Sequence, residues 1–219
     1  MIAKELISNE LAALMTSDSG EEALTMMSIF HVKHLPIVNN EVLLGIISED
    51  DLYSNDVDES IGSYQLSLSK AMVYDTDHLF EVMAKMASFK LTIVPVIDHQ
   101  ERYLGLITQE DLLQYYATSF SFSEPGSIIV LETTKPNYSL SEVSRIVEGE
   151  NATILASFIT AEEYSNNILV TIKINKPEIQ AIVASLHRFE YTVKASFSEL
   201  EYVDTLKENY DALMSYLNV

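Results

Sequence analysis

Two rhythms of apolar residues alternate along this chain. Ala23, Met26, Met27 and Phe30 recur at helical spacing, and Ser19-Gly20-Glu21-Glu22 before them fits a capping box, a hydroxyl followed three residues later by an acid. Leu35-Pro36-Ile37-Val38 then reads as a short strand, Asn39-Asn40-Glu41 as a turn, and Val42 to Ile47 as the return strand, with Ser48 capping a helix that starts at Glu49. The same order follows once more. Asp77 is expected to cap a helix carrying Leu79, Val82, Met83, Met86 and Phe89; Val94 to Ile97 is a strand, Asp98 to Arg102 a turn, Tyr103 to Ile107 the return strand, and Thr108 opens a further helix. Each strand before the turn holds a proline, Pro36 or Pro95. Proline cannot donate to a ladder, so the strand is an edge there or its missing amide faces elsewhere, as at a cleft.

The recurrence extends to the letters. Gly45-Ile46-Ile47-Ser48-Glu49-Asp50-Asp51-Leu52 returns as Gly105-Leu106-Ile107-Thr108-Gln109-Glu110-Asp111-Leu112. A period near 60 residues marks a duplicated unit. The spacing from proline to glycine is one residue longer in the second copy, and the turn is where an insertion costs least. Asn55 to Ser69 reads as a polar linker between copies. A second break falls at Ser119 to Gly126, punctuated by Pro125-Gly126.

Beyond it the pattern changes. Ile128 to Leu131 is a strand. Ser139-Leu140-Ser141-Glu142 is a capping box opening a helix through Val143, Ile146 and Val147 to Gly149. Ala152 to Ile159 and Ile168 to Ile174 are strands, Pro177 sits at the start of a helix with Ile179, Ile182, Val183 and Leu186, and Tyr191 to Phe197 is a last strand. The order βαββαβ is the ferredoxin-like pattern. A terminal helix carries Tyr202, Leu206, Tyr210, Leu213 and Leu217. The expected fold is therefore α+β, with boundaries at 1–60, 61–120, 127–198 and 199–219.

Composition narrows the chemistry. There is no cysteine, which removes disulfides and thiolate chemistry, and the formal charge is −20. Residues 1–120 hold 19 acids against 6 Lys/Arg. Such a field repels phosphate backbones and argues against nucleic-acid partners. No apolar run approaches the ~18 residues of a membrane span. The start lacks the form of a signal peptide, so a cytoplasmic site is expected. The five histidines show no metal-binding spacing, and no nucleophile elbow, phosphate loop or dinucleotide fingerprint occurs, so neither metal nor catalysis is expected.

The duplicated Gly-apolar-apolar-Ser/Thr-x-x-Asp-Leu after a proline-bearing strand resembles the tandem CBS-domain (Bateman) module over residues 1–118. The βαββαβ segment looks like an ACT domain, and the combination is similar to the acetoin-utilisation regulator family. The resemblance implies a regulatory, non-catalytic homodimer acting on an unknown target. It implies clefts between the repeats that take an adenosine compound, with no cofactor required. By motif position Ser48 and Asp51 would serve one site, Thr108 and Asp111 the other, with adenine against Leu35-Pro36 and Val94-Pro95. The chemistry fits independently, since a carboxylate can accept both hydroxyls of a ribose and a hydroxyl at a helix start sits beside free amides. Helix capping alone selects the same residue types. Neither motif holds a cation, and Asp50 and Glu110 add charge, which favours adenosine, AMP or S-adenosylmethionine over a triphosphate. His31, Lys33, His34 and Lys90 are the nearby candidates for anion contacts. The loop Lys135 to Ser139 lacks the glycine common in amino-acid-binding ACT domains, so sheet-edge dimerisation is the expected use of that half. The alternative to a sensor is a dimeric scaffold with vestigial clefts.

Overall fold

The computed structural model describes residues 1–8, 10–64, 71–119, 121, 124–161 and 165–198. The terminal helix expected at 199–219 lies outside them. The chain divides into two compact units, Met1–Tyr115 and Tyr116–Val219.

In the first unit, helix α1 (Gly20–Ile29) precedes a hairpin of β1 (His34–Asn39) and β2 (Val42–Ser48), followed by α2 (Glu49–Tyr53). The second copy repeats this as β3 (Val73–Tyr74), α3 (Leu79–Phe89), β4 (Ile93–Ile97), β5 (Tyr103–Thr108) and α4 (Gln109–Ser119). The pairings match pair for pair. Ile37 faces Gly45 and Val96 faces Gly105, and a bulge follows each, skipping Leu44 or Leu104. Leu14 bridges Ile37 in parallel, just as Val73 of β3 bridges Val96. Both hairpin turns use left-handed residues, Asn40 and Glu41 in the first and Glu101 in the second. The longer second turn closes on Asp98, whose carboxylate accepts from the Gln100 and Arg102 amides and the Arg102 guanidinium. Burial acts to raise the Asp98 pKa, but the Arg102 amide and side chain and the Gln100 amide outweigh it and hold it below the usual carboxylate value.

Order in space differs from order in sequence. Residues 1–8 pack on the second copy: Ala3 and Lys4 donate to the Asp77 and Asp75 carbonyls, and Ser8 donates to the Leu106 carbonyl. Residues 57–64, read above as part of a linker, pack on the first copy, where Ile61 and Gly62 donate to the Asp18 and Thr16 carbonyls. Each copy is thus completed by the segment that precedes the other. One core unites them, with Leu35, Ile37, Ile47 and Leu52 of the first copy against Leu91, Ile93 and Leu106 of the second.

The capping box at Ser19 forms as the spacing predicts. The one expected at Asp77 does not. His78 caps α3, its Nδ1 accepting from the Phe80 amide, because the Asp77 carboxylate is already taken by the Tyr74 amide. Asp18 does the same for the Met15 amide. The acid one residue before each cap closes the preceding turn instead.

The second unit contains β6 (Ser127–Thr134), α5 (Leu140–Gly149), β7 (Ile154–Ala161), β8 (Asn167–Ile174), α6 (Gln180–Arg188) and β9 (Thr192–Phe197). Its sheet is antiparallel in the order β7-β8-β6-β9, the split βαβ arrangement that the element order implies. Alternate residues of β6 and β8, including Ile129, Leu131, Val170 and Ile172, bury against Val143, Val147, Ile182 and Leu186 of the two helices. Two local readings change. Glu142 gives up its half of the capping box to accept from the buried Tyr191 hydroxyl at 2.8 Å. Pro177 lies before α6 rather than in its first turn, and its carbonyl accepts from Ser127 and Ser198.

Candidate ligand clefts at the duplicated motif

Each copy of the motif places a hydroxyl and a carboxylate at the junction between a strand and a helix. The strand brings its last residue out in extended conformation, with Ser48 at φ −100° and ψ 162°. The Ser48 hydroxyl donates to Asp51 Oδ2 at 2.6 Å, the Ser48 amide donates to the same oxygen at 2.9 Å, and the Asp51 amide returns a bond to Ser48 Oγ at 3.1 Å. Thr108 and Asp111 repeat this at 2.6, 3.0 and 3.0 Å. All four side chains are half-buried. The two bonds that each carboxylate accepts both fall on Oδ2, and among the described residues none falls on Oδ1. The capping role is therefore realised, and it occupies one carboxylate oxygen of two.

The other candidate residues fall into three settings. The side chains of Leu35 and Val94 are fully buried, and Pro36 and Pro95 are buried beside them. His31 and Lys90 are equivalent residues just past α1 and α3, with left-handed backbones at φ 52° and 53° and exposed side chains. They close their helices, since the next amides, Val32 and Leu91, return to the Met27 and Met86 carbonyls. Lys33 is largely exposed and lies 3.9 Å from Glu49.

His34 is different. Its Nδ1 accepts from the Thr92 amide at 3.2 Å and lies 3.0 Å from Thr92 Oγ1, while the Lys33 amide donates to that oxygen at 2.9 Å. Burial pulls the imidazole below its ordinary value; Asp51 and Asp50 act in the opposite direction, and Lys33 adds to the lowering. Its surroundings therefore disfavour protonation of His34 relative to a free imidazole. Sequence reasoning singled out His34 for charge and missed this contact, because Thr92 stands where the first copy has Lys33 and neither residue resembles the other. Among the described residues no group of three or more His, Asp or Glu is placed to hold a metal ion, and no helix is long and apolar enough to cross a membrane.

A duplicated α+β unit whose copies share one core and expose a matched hydroxyl–carboxylate pair defines the class: a pseudo-symmetric tandem module. The CBS domain family model matches residues 3–58 and again 68–118, and the chain is a tandem CBS-domain protein. Among curated relatives, homoserine O-acetyltransferase of Methanococcus vannielii is 24% identical over 117 residues, covering 51% of this chain and 24% of that protein. The chain thus spans about a quarter of that relative's length. Among solved structures, a putative acetoin utilization protein (AcuB) from Vibrio cholerae is 20% identical with a TM-score of 0.48, over 57% of this chain and 98% of the other. The CBS domain pair of protein MJ0100, solved in complex with 5′-methylthioadenosine and S-adenosyl-L-methionine, is 23% identical with a TM-score of 0.43, over 53% and 96%.

Proposed function

We propose that this chain is a non-catalytic regulatory sensor whose CBS pair binds an adenosine-containing ligand: adenosine, AMP or S-adenosylmethionine rather than a triphosphate. The observation that carries this reading is the doubled Ser/Thr–Asp pair, each with its capping bonds gathered on one carboxylate oxygen and the other left to accept ribose hydroxyls. Glu49, Asp50 and Asp51 in the first turn of α2, and Glu110 and Asp111 in that of α4, disfavour a polyanion. His31, Lys33, His34 and Lys90 are assigned supporting roles at most, since His34 Nδ1 is taken by the Thr92 amide and burial disfavours its charged form. On this reading the second unit is an ACT-like domain at 127–198, and the protein works in the cytoplasm. It acts as a homodimer on a regulated partner. Ile29, Tyr53, Phe80 and Leu113, each more than 60% exposed on the helices of the CBS pair, supply an apolar surface for the second copy.

Thermal unfolding with adenosine, AMP and S-adenosylmethionine tests the proposal. A ligand held only by the folded state raises Tm, by the equivalent of about 2.7 kcal/mol at ~100-fold its Kd. The rise is expected to vanish in Asp51→Ala or Asp111→Ala and to survive in Ser19→Ala, which loses a comparable cap away from the motif. No rise with any of the three at millimolar concentration would leave the scaffold reading in place.

A further inference from the structure

We propose that His34 is a proton-linked positioning residue: in its neutral Nε2–H tautomer it pins the two CBS repeats together beside the first motif, and protonation unpins them. One donor fixes the tautomer. A backbone amide can only donate, so the Thr92 N–H bond to His34 Nδ1 requires a lone pair on that nitrogen. The proton of the neutral ring therefore sits on Nε2. Protonating the ring puts a hydrogen on Nδ1 and sets two donors, the Thr92 amide and the imidazolium, against each other. The imidazolium can turn its Nδ1 hydrogen to the lone pair of Thr92 Oγ1 that the Lys33 amide leaves free, but the Thr92 amide then has no acceptor on the ring.

The bonded residues belong to different repeats, 58 positions apart in sequence, so the contact is a tie across the pseudo-twofold seam. Both sides of the tie also anchor the motif helices. The Glu49 amide at the start of α2 donates to the Lys33 carbonyl, and the Gln109 amide at the start of α4 donates to the Thr92 carbonyl. A change at His34–Thr92 is thereby applied to the first turns of both helices that present Asp51 and Asp111. The charged groups that act on the ring are Asp51 and Asp50 of α2 and Lys33, the residue just before β1. The acids attract a proton to the ring, while its burial resists one. The device is built into one repeat only, since the residue of β4 equivalent to His34 is Ile93.

The folded pKa lies below the ordinary 6.5, so the tie holds above 6.5 and is lost as pH falls through the folded pKa. The ligand-free protein provides the first test, by ring ¹⁵N shifts of His34 and hydrogen exchange at the Thr92 amide, the latter corrected for intrinsic exchange. Expected are an Nε2–H signature at about pH 7.5 and, on acidification, a loss of Thr92 protection of about fivefold or more that tracks protonation of the ring in the same samples. In His34→Asn, Oδ1 keeps an acceptor for the amide without a titration, and the protection should hold across the same range. An Nδ1–H ring at neutral pH, or the same pH profile in His34→Asn, overturns the proposal. A second arm rests on the adenosine reading above and uses adenosine, which stays uncharged over this range. Its Kd is expected to rise on acidification in the wild type and stay flat in His34→Asn; parallel profiles count against the proposal. Failure of adenosine to bind at all refutes the ligand reading and leaves the exchange experiment to decide the seam.

Discussion

At the scale of single residues, the same atoms do several jobs, and each job can be measured. Ser48 and Thr108 cap their helices, so Ser48→Ala and Thr108→Ala are each expected to cost about 1 kcal/mol in urea unfolding, independent of any ligand. A cost near zero would mean that the boxes seen at 2.6 Å do not hold in solution. In the second unit, burial first and the adjoining Glu142 carboxylate second push the Tyr191 phenol up to about 12. An acid whose folded pKa is raised stabilises fully below its unfolded value and loses that contribution as pH rises through the folded one. Tyr191→Phe is therefore expected to cost about 1 kcal/mol at neutral pH through the lost hydrogen bond and to flatten the stability curve above about pH 10. Identical alkaline limbs in the two proteins would contradict the assignment. Sequence reading reached some of these residues and not others for a simple reason. Ser19 and Ser48 cap through partners three residues away. Glu142 is diverted by Tyr191, 49 residues further on, and no local pattern encodes that choice.

At the scale of elements, the duplicated strand-turn-strand was legible because its signals are local: alternating apolar residues, a turn, a glycine and a cap. The glycine position illustrates what lay beyond reach. Gly105 sits at φ 152°, and a Cβ there would run into the Ile7 side chain, which arrives from the segment docked on the second repeat. The letter was repeated in both copies, but its neighbour could be found only in three dimensions. Gly105→Ala is expected to destabilise the protein by about 1–3 kcal/mol through backbone strain and overpacking. Hydrogen exchange should locate the damage at the Ser8 amide, bonded to the Leu106 carbonyl at 2.8 Å, with the split βαβ sheet unaffected. Uniform loosening of both units would argue against this docking. The polar run after Asn55 misled for the same reason, since its backbone bonds are to Asp18 and Thr16 of the first repeat.

At the scale of the whole molecule, the charge of −20 acts on every equilibrium the chain enters. Self-repulsion weakens as added salt shortens the screening length from ~30 Å at 0.01 M to ~10 Å at 0.1 M. The urea midpoint is therefore expected to rise with sodium chloride over that range; a midpoint that falls would show attractive pairs dominating, against the four ion pairs found among the described residues. The crossed docking of residues 1–8 has a consequence for how the protein is made. On the ribosome these residues emerge before the rest of the CBS pair, yet Leu106, which receives Ser8, is synthesised almost a hundred positions later. At translation rates of about 5–20 residues per second the N-terminal segment waits roughly 5–20 s for its place. The first repeat meets its own closing segment, 57–64, well before that. Birth order and assembly order are thus inverted within the CBS pair, whose earliest-made segment becomes its last stitch.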